Sequence, residues 1–265
     1  MTLTASTPAF LERRLSNDAP LLILPQTAQD GRGKHLHVHP EGQLYVALQG
    51  LIVVEAGDVR TVLPPGHIGW IPPGLRHGAS AHSQHAADSL VGLTLYLAPA
   101  LCQTLPTTSQ AWRMTPLVEA VLGRLRALPP HAALDARHTR LLDVLLDELI
   151  HTPAEALRLV MPRHPRLLQM AATIAHDPAD GCSLDDWAHA LGLSRRSVTR
   201  HFREETGMSL IAWRQLARLQ RGMELLQAGQ AVTTVALTLG YDSVSSFIAL
   251  FRRVLGTTPA RFAAR

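Results

Sequence analysis

The sequence predicts an α+β protein of two domains: an antiparallel β-barrel followed by helices, then an all-α domain with two helix-turn-helix units. Three observations predict it. Residues 20–98 read as short apolar runs broken by Gly and Pro (LLILP, LYVALQG, LIVVEAGD, TVLPPG, IGWIPPG, VGLTLYLAP), the rhythm of an antiparallel barrel or sandwich. From about Pro116 the apolar period becomes helical. Beyond residue 180 one helical pattern recurs at an offset of 48–49 residues. The 265 residues suffice for two cores, and 46% hydrophobic against 17% charged residues argues against disorder. No run approaches the ~20 apolar residues of a membrane span. Met1 to Phe10 lacks the basic start and apolar run of a signal peptide. Cys102 and Cys182 lie 80 residues apart, which argues against a disulfide scaffold or a Cys-based zinc site. A cytoplasmic protein with no membrane partner is expected.

Within the first part, His37-Val38-His39 lies on an alternating segment, so both imidazoles point to one face of a strand. Four residues after His39 comes Gln43, and seven after that Gly50. Later, Gly66 precedes Pro72-Pro73-Gly74-Leu75-Arg76-His77. Seven of the 14 histidines fall within residues 35–85. Over roughly residues 30–98 these spacings resemble the two motifs of the cupin barrels, so the expected domain is a cupin-type β-barrel over residues 1–110.

That resemblance implies a metal set of His37, His39, position 43 and His77. Neutral imidazoles suit a divalent transition metal such as zinc, iron, nickel or copper. The departure is Gln43, where the cupins place Glu; a neutral amide oxygen is the weaker ligand. Glu41 shares the parity of Gln43 and is the alternative carboxylate, although Pro40 perturbs the local geometry. Ala81 also stands where the second motif often has Asn. Three readings stay open: a bound metal, a metal-free pocket whose histidines hydrogen-bond an anionic or aromatic effector, and plain core histidines. His35 is expected at the solvent rim, His67, His82 and His85 at the surface, and Trp70 and Tyr45 in the core.

Residues 111–160 are expected to form a helical dimerisation or connection segment. Leu141, Leu142, Leu145, Leu146 and Leu149 make one apolar stripe, facing either a second copy or the chain's own barrel. Met161-Pro162-Arg163-His164-Pro165 breaks the pattern, and the last domain is expected over 161–265.

Charge divides at the same place. Residues 1–160 hold 12 cations and 13 acids, while residues 161–265 hold 13 cations and 8 acids. The excess, nearly all Arg, points to a polyanionic partner for the C-terminal part alone. Ser183-Leu184-Asp185-Asp186 reads as an N-cap and acidic first turn, with Trp187, Ala188 and Leu191 spaced for burial and Gly192 as the stop. Ser194 caps a second helix in which Val198 and Phe202 share the buried face. Arg195, Arg196, Thr199 and Arg200 then point outward, where the guanidinium fork suits guanine or phosphate. The pattern Ala188, Leu191-Gly192, Phe202, Gly207 returns as Ala236, Leu239-Gly240, Phe251, Gly256. Between the copies, Trp213 to Leu226 reads as a connecting helix, with Gly222 implying close packing.

Over about 165–265, the run Gly240-Tyr241-Asp242-Ser243-Val244-Ser245-Ser246-Phe247, with Phe251, Gly256-Thr257-Thr258-Pro259 and Phe262, resembles the C-terminal signature of the AraC/XylS transcription regulators. Arg218-Leu219 and Leu225-Leu226 match that family's linker helix. The resemblance implies two units reading successive major grooves of promoter DNA, about 34 Å apart. It also implies activation of transcription, with RNA polymerase as a partner, and a homodimer. One departure is Ile248-Ala249-Leu250, where the family often has Arg. The second recognition helix is therefore expected to grip backbone through Ser243, Ser245, Arg252 and Arg253. It would otherwise touch thymine methyls with Val244, Ser246 and Ala249.

The expected function is a sequence-specific DNA-binding regulator, not an enzyme, whose barrel senses a small molecule or divalent metal. The alternatives are a metal-dependent cupin oxygenase with a DNA-binding tail, or a constitutive regulator with a ligand-free barrel.

Overall fold

The computed structural model describes residues 15, 19–28, 35–83, 89–179 and 181–264. It divides into two compact units, one of residues 1–57 and 61–158, the other of residues 58–60 and 159–265. His85 and Lys34 lie outside the described residues.

The first unit is rich in antiparallel sheet. Its strands are β1 (Leu21–Thr27), β2 (Gly42–Ala47), β3 (Leu51–Ala56), β4 (Val59–Leu63), β5 (His67–Ile71), β6 (His77–His82), β7 (Leu90–Leu97) and β8 (Gln110–Arg113). A five-stranded sheet runs β1-β7-β2-β5-β8, and a second runs β6-β3-β4. Strand parity divides the faces of the first sheet. Leu44 and Val46 of β2, and Leu93, Leu95 and Leu97 of β7, form one core with Trp70 and Trp112. Helices α1 (Pro116–Leu125) and α2 (Ala136–His151) add Val118, Val121, Leu122, Leu125, Leu142, Leu145, Leu146 and Leu149 to that same core. The alternate residues, Gln43, Tyr45, Thr94 and Tyr96, belong to the opposite face. Both faces are covered, so every residue of β2 is buried. Gly42 is required here, because a Cβ on it would strike the Trp70 ring and Cys102 Sγ.

Three expectations change. The segment expected to be helical over 111–160 does not begin as helix: Trp112 and Arg113 belong to β8, which pairs with β5 through Ile68↔Trp112 and His67↔Arg113. The open edge of β5 offers those backbone groups partners, and local helical pattern loses to them. Of the two places expected for it, the Leu stripe of α2 takes the chain's own sheet domain, with Leu142, Leu145, Leu146 and Leu149 buried there. His67 is buried rather than at the surface. His37-Val38-His39 is extended but makes no ladder; His37 forms one isolated bridge with His77, their backbone N–H···O bonds 2.8 and 3.0 Å.

The second unit is helical: α3 (Pro165–His176), α4 (Leu184–Leu191), α5 (Arg195–Thr206), α6 (Leu210–Gln227), α7 (Val232–Thr238), α8 (Val244–Leu255) and α9 (Pro259–Ala263). Its duplication is visible in the caps. Ser183 and Asp186 form a capping box on α4. Ser194 Oγ accepts from Ser197 N at 3.1 Å, and Ser243 Oγ accepts from Ser246 N at 3.2 Å. Gly207 and Gly256 end α5 and α8 in the left-handed conformation, at φ 72° and 67°. The turn of the second copy is one residue longer, which is why the offset grows from 48 to 49 residues. Helix α6 is buried along most of its length, and Phe202 meets Trp213 edge to face at 5.6 Å. At Gly222 a Cβ would come within 3.1 Å of Leu239 and 3.2 Å of Phe247, so the missing side chain lets the second unit seat against α6.

Candidate effector pocket and nucleic-acid interface

Three histidines converge in the first unit. His37, His39 and His77 each present a ring nitrogen, and these atoms lie within 4.8 Å of one another. The backbone settles two of the rings. His77 Nδ1 donates to the Leu75 carbonyl at 2.7 Å, and His37 Nδ1 donates to the His35 carbonyl at 2.9 Å. A neutral ring carries one N–H, so each keeps a lone pair on Nε2. Burial favours the neutral form of His77 at the centre of the cluster. It drives the His77 pKa down to about 4, and the neighbouring His37 and His39 add repulsion while the Leu75 carbonyl opposes the shift. Burial also lowers the pKa of His39. His37 Nε2 is buried and finds no hydrogen-bond partner among the described residues.

Gln43 closes the cluster. Its Oε1 lies 2.6 Å from His77 Nε2 and 3.1 Å from His39 Nε2, and the side chain is 1% exposed. Register brings it there: β2 pairs with β7 so that Gln43 faces Tyr96, and Tyr45 faces Thr94. The same amide hydrogen-bonds the Tyr45 and Tyr96 hydroxyls, whose pKa values burial pushes up, so both remain protonated. A lone pair on His77 Nε2 cannot be satisfied by a carbonyl oxygen. Either the amide turns its NH2 to the rings while its oxygen accepts from the tyrosines, or a cation sits between the lone pairs. The donor set of three neutral imidazoles and one amide oxygen fits a divalent transition metal.

Glu41 is not a substitute ligand. It is buried, and its carboxylate lies 3.4 Å from His39 Nδ1, on the far side of that ring from Gln43. Among the described residues His39 Nδ1 makes no hydrogen bond, so Glu41 acts on the ring as a nearby charge that opposes the lowering of the His39 pKa by burial. Tyr96, whose ring lies 5.4 Å from that of His39, was not singled out from the sequence. Its signal was the alternation Leu93-Thr94-Leu95-Tyr96-Leu97, which sets Thr94 and Tyr96 on the face opposite the leucines. His35 is exposed, Trp70 donates from Nε1 to the Pro106 carbonyl at 2.7 Å, and Tyr45 is buried.

The second unit exposes the residues selected for nucleic acid. On α5, Arg195, Arg196, Thr199 and Arg200 are all exposed around buried Val198 and Phe202. They are not equivalent. Arg195 pairs with Asp185 at 3.1 Å, and Arg200 pairs with Glu204 at 3.3 Å. Thr199 Oγ1 donates back to the Arg195 carbonyl at 2.9 Å, which turns its methyl outward. Arg196 has no ion pair among the described residues. On α8, Ser245, Ser246, Ala249, Arg252 and Arg253 are exposed and Val244 is half-buried. The Ser243 hydroxyl is engaged in the cap. Among the described residues no helix is long and apolar enough to cross a membrane.

Comparison with known proteins agrees with this division. A family model described as an AraC-like ligand binding domain matches residues 23–159, and one described as a helix-turn-helix domain matches residues 187–265. The HTH-type transcriptional regulator NimR of Escherichia coli (strain K12) is 34% identical over 230 residues, 87% of this chain and 82% of that protein. The arabinose operon regulatory protein of Salmonella typhimurium is 24% identical over 240 residues, 83% of each chain. A solved structure, ToxT from Vibrio cholerae, is 10% identical and covers 92% of this chain and 95% of its own, with a TM-score of 0.39. NimR and the arabinose operon protein are regulators by name. The chain belongs to the AraC family: it is a helix-turn-helix transcription regulator with an N-terminal ligand-binding domain.

Proposed function

We propose that this regulator acts in the cytoplasm and senses a divalent transition-metal cation in a cupin-type sensor domain. His37, His39, His77 and Gln43 are its ligands. The observation that carries this reading is His37 Nε2, a buried lone pair without a partner, aimed at two more imidazoles. A buried acceptor left unsatisfied costs roughly 1–3 kcal/mol, and a cation removes that penalty. The domain serves sensing rather than catalysis. Arg196, Thr199 and Arg200, with Arg195, form the base-reading edge. Ser243, Val244, Ser245, Ser246, Ala249, Arg252 and Arg253 hold the second groove chiefly by its backbone. Domains divide near 110 and 160. Val144 and Ile150, exposed on α2, support a homodimer contact, and activation would proceed through RNA polymerase.

The test is metal analysis of the purified chain, then titration with Ni²⁺ and Zn²⁺ beside a duplex selected from a random library. About one equivalent of metal, lost in His77→Ala, and a chelator-dependent change in DNA affinity are expected. No metal at micromolar concentration, with DNA affinity indifferent to chelator, refutes the metal. The amide of Gln43, which by itself can satisfy His39 and His77, favours a second reading: an organic effector that hydrogen-bonds His37 and the tyrosines. An unchanged promoter occupancy with every metal and metabolite tried would instead favour a constitutive regulator.

A further inference from the structure

The caps align the two recognition helices residue by residue. Ser194 matches Ser243, Phe202 matches Phe251, Gly207 matches Gly256, and each helix is 12 residues long. In that register Arg196 falls on Ser245, Thr199 on Ile248, Arg200 on Ala249 and Glu204 on Arg253. The N-cap serines and the serines bonded to them, Ser197 and Ser246, aside, one exposed side chain is the same in both copies: Arg203 on α5 and Arg252 on α8. Neither has an ion pair or side-chain hydrogen bond among the described residues, whereas Arg195 and Arg200 are both paired.

Phosphates look alike at every base pair and base edges do not. Duplicated units that dock alike can therefore share a backbone contact, whereas side chains that read different bases differ. Arg203 lies seven residues beyond Arg196, about 10.5 Å along the helix axis on the same face. With the first turn at the base edges, Arg203 reaches the wall of the groove. We propose that Arg203 and Arg252 are a matched pair of phosphate clamps, one per unit, and that sequence is read chiefly on the first helix, at Arg196 and Arg200, where the second offers only Ser245 and Ala249. This rests on the DNA-binding assignment of the second unit. The competing role is a cation that complements the helix C-terminus, which would act on stability alone.

The full chain is titrated against a random-sequence 40-bp duplex between 50 and 200 mM salt, and its sequence preference is read by selection from a random library. Arg203→Ala and Arg252→Ala should each lower the slope of log K against log salt by about one, and the double variant by about two. Each should weaken binding roughly tenfold without altering the selected sequence. Arg203→Lys should keep the slope. An unchanged slope with a lowered melting temperature, or a relaxed sequence preference, overturns the clamp. A wild-type chain that does not bind the duplex overturns the DNA-binding assignment with it.

Discussion

Replacing Gln43 by Leu tests the pocket most directly. The two side chains are close in volume, and position 43 is 1% exposed, so the change removes polar atoms without opening a large cavity. It takes away the contacts at 2.6 Å to His77 Nε2 and 3.1 Å to His39 Nε2, and with them the partner of the Tyr45 and Tyr96 hydroxyls. Stranding a buried polar group costs roughly 1–3 kcal/mol. Two stranded imidazoles, offset by about 1 kcal/mol from added apolar burial, leave a net loss of about 1–5 kcal/mol. With a urea dependence of about 2 kcal/mol per molar, the unfolding midpoint should fall by roughly 0.5–2.5 M in the presence of chelator. Hydrogen exchange of β2 and β6 peptides places the loss locally. Added Zn²⁺ or Ni²⁺ should then recover part of it, about 2.7 kcal/mol at a hundredfold excess over Kd. A variant as stable as the wild type in chelator would refute the account of Gln43 as the group that satisfies the cluster. A destabilised variant that no metal rescues would refute the shared-lone-pair reading.

Four further outcomes are expected. Glu41→Gln should weaken metal binding roughly 10–100-fold in a competition titration, since its charge lies behind His39; an unchanged affinity would remove that role. Arg196→Ala should relax the sequence preference in a library selection, and uniform weakening across all sequences would refute base reading by this residue. Phe202→Ala should cost about 3–5 kcal/mol in thermal or urea unfolding, because Phe202 is fully buried against Trp213; a loss under 1 kcal/mol would mean the helix-turn-helix core is not close-packed. Burial holds the His67 pKa below its ordinary value, opposed by the Pro65 carbonyl. As pH falls below about 6.5 the unfolded chain takes up a proton that folded His67 does not, so stability declines with acid. His67→Gln should make unfolding less sensitive to pH in that range, and an identical pH dependence would contradict the burial account.

Local signals carry the second unit. Ser caps, Gly stops and the i, i+4 spacing of Val198 and Phe202 act within a few residues, so both helix-turn-helix units and their duplication were legible, whereas the meeting of His37 and His39 with His77 was implied only by the resemblance to the cupin motifs. The tertiary structure decided whatever depended on partners distant in the chain. Periodicity marked the Leu stripe of α2 as apolar but carried no information on what it covers; the sheet beneath it is built from strands spread over residues 21–113. Register between β2 and β7, some fifty residues apart, set Tyr96 beside Gln43, and no local pattern encodes that offset. The same holds for Glu41, whose strand parity suggested a ligand until the departure of His37–His39 from a regular ladder put it behind the ring. Side-chain direction along an element follows from local geometry, while the neighbour it meets follows from how elements pair, and the chemistry of the pocket lies in that pairing.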